Sequence, residues 1–142
     1  MKADLRPVML VEDQPDEATL FALACERAGV ANPIVTLHHG AEAVAYLSRA
    51  DQLQPCLIIT DIKMPWMDGF ELLQWVKQHC PEGDFSTIVL TSSPNAVDAE
   101  RAYQFGARDF YTKPHTFEDT VQMMKRIKRK WIDQNRSQKK GS

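Results

Sequence analysis

The sequence contains a short apolar run, Leu57-Ile58-Ile59-Thr60, that ends in the carboxylate of Asp61. Two further runs repeat this arrangement: Val8-Met9-Leu10-Val11 precedes Glu12-Asp13, and Ile88-Val89-Leu90 precedes Thr91. Runs that are apolar at every position are typical of parallel strands covered by helices on both faces. The pattern therefore predicts a buried parallel sheet whose strands end in polar side chains.

Amphipathic segments of helical length separate these runs. Pro15 fits the first turn of a helix, acidic residues follow it, and Gly29 favours the end of that helix. Four more helices are predicted to begin near Gly40, Asp68-Gly69, Asn95 and His115-Thr116. Two weaker strand candidates span residues 33–37 and 109–112. Five strand–helix units in alternation predict one α/β domain with helices on both faces of the sheet.

The charge is distributed unevenly along the chain. The formal net charge of −2 averages residues 1–121, with 18 acidic and nine basic side chains, and residues 122–142, with one acidic and eight basic. The domain is predicted to span residues 6–133, and residues 134–142 are predicted to be a disordered basic tail. Three interpretations of the basic end stay open: a solvated helix end, a partner or dimer surface, and a nucleic-acid contact. The acidic body argues against the last of these.

Composition excludes several classes of protein. Hydrophobic residues make up 44% of the 142 residues and charged residues 25%, which is typical of a globular domain and not of fibrous or disordered chains. No apolar run reaches the roughly 18 residues that a membrane span needs, and no secretory leader opens the chain. The three cysteines lack metal-ligand spacing and are interpreted as reduced thiols. We therefore expect a cytoplasmic protein without a membrane partner.

Five polar side chains are expected at one edge of the predicted sheet: Glu12, Asp13, Asp61, Thr91 and Lys113. Open parallel sheets bind ligands at the carboxyl ends of their strands. Clustered carboxylates repel one another, and a divalent cation offsets that repulsion. Oxygen donors suit Mg²⁺, with Mn²⁺ as the alternative, better than they suit zinc. An aspartate can be the nucleophile that forms an aspartyl phosphate, which Lys113 and Thr91 would stabilise.

Five short motifs occur in register along the chain: Val11-Glu12-Asp13, Asp61-Ile62-Lys63-Met64-Pro65-Trp66-Met67-Asp68-Gly69, Leu90-Thr91-Ser92, Gly106-Ala107 and Thr112-Lys113-Pro114. Together they resemble the receiver domain of two-component response regulators, the CheY-like family, over roughly residues 6–132. The chain is also similar to the small single-domain regulators associated with bacterial phytochromes. The resemblance implies a flavodoxin-like (βα)5 fold with the strand order 2-1-3-4-5.

The resemblance implies a role for each acidic residue of the predicted site. Asp61 would be the phosphoacceptor. Glu12 and Asp13 would hold Mg²⁺ together with Asp61, Asp13 directly and Glu12 through water. Lys63 would contribute its backbone carbonyl to the metal, so its side chain would not be a ligand.

The same resemblance implies which residues respond to phosphorylation. Thr91 and Lys113 would contact the phosphoryl group. Phe110 would turn inward when Thr91 moves toward the phosphate. The bond between Lys113 and Pro114 is expected to be cis, and no catalytic residue beyond these is implied.

Three functions follow from these residues, and the first is favoured. It is a stand-alone response regulator that accepts a phosphoryl group from a sensor histidine kinase, with a bacterial phytochrome as the candidate kinase. It would signal through the fourth helix, fifth strand and fifth helix, a face that is also the candidate for a homodimer. It would not be an enzyme, apart from self-phosphorylation from a phosphodonor and slow autodephosphorylation.

Two alternatives belong to other classes. The first is an aspartate-nucleophile phosphatase, but such enzymes commonly carry a second acid two residues after the nucleophile, where this chain has Lys63. The second is a nucleic-acid-binding regulator that acts through the basic tail. Turnover of a phosphate ester would support the first alternative, and salt-dependent binding lost with the tail would support the second.

Overall fold

Five strands form one parallel sheet in a computed structural model of the chain. The structure describes residues 6–49, 51, 53–81, 83, 85–92 and 95–133, so the predicted tail 134–142 lies outside the described residues. The strands are β1 (Val8–Val11), β2 (Ile34–Leu37), β3 (Leu57–Thr60), β4 (Ser86–Thr91) and β5 (Asp109–Thr112). Their order across the sheet is β2-β1-β3-β4-β5, which confirms the predicted flavodoxin-like fold.

Five α-helices connect and follow the strands. They are α1 (Pro15–Arg27), α2 (Gly40–Ser48), α3 (Gly69–His79), α4 (Ala96–Gln104) and α5 (Phe117–Ile127), and a π-helical segment, Lys128–Asp133, continues α5. Pro15 occupies the first turn of α1 as predicted, because a missing N–H costs nothing there. No helix in the described part of the chain is long and apolar enough to cross a membrane.

Each face of the sheet has its own apolar core because strand side chains alternate between the two faces. On one face, Leu10 and Ile59 pack in a cluster with buried residues of α1 and α5. On the other face, Met9 and Ile58 pack with buried residues of α2 and α3. This double cover explains the continuous apolar runs of β1, β3 and β4, and it leaves the carboxyl ends of the strands at one edge for polar side chains.

The start of α3 lies directly against the end of β3. The Asp68 carboxylate accepts a hydrogen bond from the Glu71 backbone N–H (2.9 Å), and the Glu71 carboxylate accepts one from the Asp68 N–H (3.3 Å). This capping box fixes the first residue of the helix. A Cβ atom at Gly69 would collide with the backbone carbonyl oxygen of Asp61. Glycine therefore permits the close approach that holds the segment after Asp61 in place.

The peptide bond between Lys113 and Pro114 is trans, as are all the described peptide bonds, so the predicted cis bond is wrong for this structure. The trans isomer of an X–Pro bond is favoured by about 0.5–1 kcal/mol. With the bond in this form, the Lys113 N–H still donates to the Thr91 carbonyl at 2.8 Å, so the pairing of β4 with the end of β5 is kept.

Candidate functional site

Four charged side chains meet at the carboxyl edge of the sheet. Glu12 and Asp13 follow β1, Asp61 follows β3, and Lys113 follows β5. Carboxylate oxygens of Glu12, Asp13 and Asp61 lie within 4.8 Å of one another. Glu12, Asp61 and Lys113 are buried, and Asp13 is half-buried. The fold thus brings together every charged side chain that the strand ends were predicted to supply.

Lys113 provides the positive charge among these acids. Its ammonium donates to Glu12 Oε1 (2.6 Å), to Asp61 Oδ2 (2.8 Å) and to Glu17 Oε1 (3.1 Å). An ammonium has three N–H donors, so these three carboxylates account for all of them. The five residues Glu12, Asp13, Glu17, Asp61 and Lys113 are called the strand-end site below.

Burial and pairing shift two pKa values at this site in the same direction. Burial raises the pKa of Glu12 to about 7, although the hydrogen bond from Lys113 opposes that rise. Burial alone would lower the pKa of Lys113, but its hydrogen bonds to Asp61 and Glu12 outweigh that effect, and the net pKa is raised. Lys113 therefore stays charged, whereas Glu12 is a carboxylate whose charge depends on a cation beside it.

Two donors orient the Asp61 carboxylate. Oδ1 accepts a hydrogen bond from the Ile62 backbone N–H at 2.7 Å, and Oδ2 accepts the bond from Lys113. The side chain thus has a fixed direction at the end of β3. Beside it lies an open cleft whose lining includes Asp13, Lys63 and Met64.

The donor set of the site suits a hard divalent cation. Glu12, Asp13 and Asp61 offer only carboxylate oxygens, which Mg²⁺ and Mn²⁺ accept and which zinc sites rarely use alone. Lys63 lines the same cleft as Asp13, and its side chain is exposed. The proposed contribution of its backbone carbonyl to a metal stays a prediction.

Thr91 and Phe110 lie on the neighbouring strands β4 and β5, Thr91 at the end of its strand and Phe110 within its strand. Thr91 is buried at the end of β4, and its carbonyl accepts the hydrogen bond from the Lys113 N–H. Phe110 is half-buried on β5 opposite Val89 and packs against a cluster that includes residues of α3 and α4. An inward movement of Phe110 on phosphorylation stays a prediction.

Sequence reasoning missed Glu17. This residue lies in the first turn of α1, four positions after Asp13, and a first-turn acid was interpreted only as a favourable helix start. Pro15 sets where α1 begins and so places Glu17 in the first turn of that helix. Its partner Lys113 is 96 positions away, so no local pattern indicates the contact.

A second polar cluster, also missed, lies on β5. The Asp109 carboxylate accepts hydrogen bonds from Tyr111 Oη (2.7 Å), Lys130 Nζ (3.0 Å) and, more weakly, Tyr103 Oη (3.4 Å). Trp131 Nε1 in turn donates to Tyr111 Oη at 3.3 Å. The residues Tyr103, Asp109, Tyr111, Lys130 and Trp131 are called the edge cluster below, because β5 is an edge strand. They connect α4, β5 and the π-helical segment.

Comparison with known proteins identifies this arrangement. A family model for the response regulator receiver domain matches residues 8–127. The chain belongs to this family. The receiver domain is 32% identical over 133 residues to the probable methanogenesis regulatory protein FilR2 of Methanothrix harundinacea, a match that spans 92% of this chain and 86% of that protein.

Solved structures extend the likeness. The crystal structure of the phosphorylated cyanobacterial phytochrome response regulator RcpA matches the receiver domain with a TM-score of 0.82 at 28% identity, covering 91% of this chain and 95% of that one. The Mn²⁺-bound form of response regulator Rcp1 matches with a TM-score of 0.79 at 26% identity, covering 89% and 94%. Rcp1 of Synechocystis sp. is also a sequence relative, 26% identical over 130 residues, 89% of this chain and 88% of that protein.

These matches confirm the predicted resemblance to CheY-like receivers and to phytochrome response regulators. Receiver domains are phosphoacceptors of two-component signalling and work with sensor histidine kinases. The predicted signalling role is confirmed at that level.

Proposed function

We propose that this receiver domain, residues 6–133, accepts a phosphoryl group on Asp61 from a phosphohistidine of a sensor histidine kinase. The P–N bond of the donor breaks, its electron pair returns to the imidazole nitrogen, and a P–O bond to the Asp61 carboxylate forms. The observation that carries this proposal is the Asp61 carboxylate, which is fixed by two donors beside the ammonium of Lys113. That arrangement presents an oriented nucleophile next to a cation that can neutralise the transferred group.

Glu12, Asp13 and Asp61, with the carbonyl of Lys63, are the residues we propose for Mg²⁺ or Mn²⁺. The bound ion would offset the charge of the incoming phosphoryl oxygens. The protein's own contribution is to hold Asp61 in one direction and to keep Lys113 charged within reach. Thr91, buried beside the Lys113 backbone, would donate its hydroxyl to a phosphoryl oxygen.

The output would be a changed surface formed by α4, β5 and α5. Support comes from Phe110, which lies on β5 and packs toward α3 and α4, so that a movement of this ring would disturb the face around it. The same face is our candidate for a homodimer. We propose a phytochrome-type kinase as the partner because RcpA, a phytochrome response regulator, is similar over most of both chains. The free cysteines among the described residues support a reducing, cytoplasmic setting.

The direct test uses radiolabelled acetyl phosphate, whose acyl P–O bond breaks as acetate leaves. The wild-type protein should take up hydroxylamine-labile label when Mg²⁺ is present and should take up none when EDTA removes the ion. The D61N variant should take up none, whereas D16N, which changes an exposed acid of α1, should behave as the wild type. Label of the same lability in D61N would refute the assignment. Steady turnover of a phosphate ester that D61A abolishes would support the phosphatase alternative instead.

A further inference from the structure

Glu17 differs from the other two partners of Lys113 in its exposure to water. The side chains of Glu12 and Asp61 are 2% and 10% exposed, whereas that of Glu17 is 42% exposed. Its contact is also the longest of the three, at 3.1 Å. Glu17 comes from α1 and not from a strand end, so it is held by a separate element.

All three donors of the Lys113 ammonium are in use in the structure. The donor that contacts Asp61 Oδ2 can pass to one phosphoryl oxygen, but a second phosphoryl oxygen would need a donor that Glu12 or Glu17 now holds. Release of Glu12 would leave a buried carboxylate without its partner, which is costly. Release of Glu17 is cheap, because water can solvate a side chain that is already 42% exposed.

A small cleft lies where this exchange would occur. Glu17 and Lys113 both line it, together with Phe21 of α1 and Pro114 of the segment after β5. Water that enters this cleft can solvate Glu17 as it separates from Lys113. Asp13, a proposed metal ligand, does not line this cleft but a different depression.

We propose that Glu17 is a positioning residue that holds the third donor of Lys113 in the resting protein and releases it to the phosphoryl group. This inference rests on the proposed phosphoacceptor function. In this role Glu17 reduces the attraction of Lys113 for an anion and adds negative charge near the metal ligands. Neutralising Glu17 should therefore have opposite effects on anions and on cations: an anionic phosphodonor is bound more strongly, and a divalent cation is bound more weakly.

The test compares E17Q with E26Q, an exposed acid on the same helix about 13 Å further along its axis. In the first arm, calorimetry measures the Mn²⁺ dissociation constant without any phosphodonor. In the second arm, the half-saturating acetyl phosphate concentration is measured at saturating Mg²⁺. We expect E17Q to raise the first value and to lower the second, each by about two- to fivefold, the range that one partly exposed ion pair supports. E26Q should change neither.

A merely structural role for Glu17 would not separate the two arms by sign. The proposal is wrong if E17Q leaves both values unchanged, shifts affinity in the same direction for both ions, or is matched by E26Q. E17D keeps the charge on a shorter side chain and should restore part of the wild-type behaviour. Thermal unfolding of each variant checks that the fold is intact, which the near-isosteric change to glutamine favours.

The two arms also distinguish this inference from the proposed function. If the wild type binds Mn²⁺ but takes up no phosphoryl group, the phosphoacceptor proposal fails, and the first arm alone still decides whether Glu17 acts on the site. If label is taken up but E17Q shifts neither value, Asp61 remains the acceptor and the role of Glu17 is refuted.

Discussion

The strand-end site and the edge cluster are built on opposite plans. In the strand-end site one cation, Lys113, lies among carboxylates. Three of the five side chains of this site are buried. In the edge cluster one carboxylate, Asp109, lies among donors, and its lysine is 58% exposed. The first has four acids for one lysine, whereas the second has one of each together with neutral tyrosines and a tryptophan.

This difference distinguishes a site whose charges suit a divalent cation from one whose charges are already paired. The carboxylates of the strand-end site repel one another, and a single lysine leaves most of that repulsion in place. The donors of the edge cluster hydrogen-bond to the Asp109 carboxylate. Burial would raise the pKa of Asp109, but the hydrogen bonds from Tyr111 and Lys130 outweigh burial, and the net pKa is lowered. Excess carboxylates thus make the strand-end site suitable for binding a cation, whereas paired hydrogen bonds make the edge cluster a structural contact between α4, β5 and the π-helical segment.

Removal of each lysine should show the largest contrast. K113M leaves two buried carboxylates without their cation, and breaking a buried pair in this way costs about 3–5 kcal/mol. We expect a loss of about 3 kcal/mol in the free energy of unfolding, measured by urea denaturation in metal-free buffer at pH 7. K130M removes an exposed partner and should cost less than about 1 kcal/mol. Equal losses in the two variants would contradict the contrast.

Removal of one acid from each cluster should change stability in opposite directions. D109N loses charge-assisted hydrogen bonds from Tyr111 and Lys130, and we expect it to lower the free energy of unfolding by about 1–2 kcal/mol. D13N relieves repulsion at the half-buried edge of the strand-end site and should raise the metal-free value by up to about 1 kcal/mol. Thermal and urea unfolding measure both. Destabilisation by D13N would show that the acids there are already compensated.

The pH dependence of the edge cluster gives the smallest effect. Because the pKa of Asp109 is lowered in the folded protein from its ordinary 3.8, its contribution is present above that value and is lost as the pH falls through the folded pKa. The difference in unfolding free energy between wild type and D109N should therefore stay constant from about pH 7 to pH 5 and shrink below pH 4. A difference that grows in acid would contradict the lowered pKa.

The sequence predicted those parts of the molecule that depend on local patterns. Apolar runs ending in Glu12-Asp13, Asp61 and Thr91 predict both the strands and the edge where their side chains meet, because parallel strands share one carboxyl edge. The start of α1 at Pro15 and the cap of α3 at Asp68 follow from single residues. The roles assigned to Asp61, Thr91, Lys113 and Phe110 stay predictions until phosphorylation is measured.

Contacts between distant segments could not be predicted in this way. Glu17 meets Lys113 and Asp109 meets Lys130 only because the sheet brings α1, β5 and the last helix together. The structure also shows that part of the positive charge at the basic end is paired within the domain. Lys128 pairs with Asp133, and Lys130 pairs with Asp109. The prediction of a cis bond before Pro114 was wrong. It rested on the family resemblance and not on a local feature of this chain.

Gly69 has a consequence for how the chain tolerates variation. Its backbone lies so close to the Asp61 carbonyl oxygen that the first carbon of any side chain already collides. Alanine is therefore as poorly accommodated as a larger residue. The size of the substituted side chain should make little difference to the effect of a substitution. A saturation library at this codon should divide into glycine and everything else. A tight constraint on the backbone at Asp61, our proposed acceptor, thus lies at a residue without a side chain.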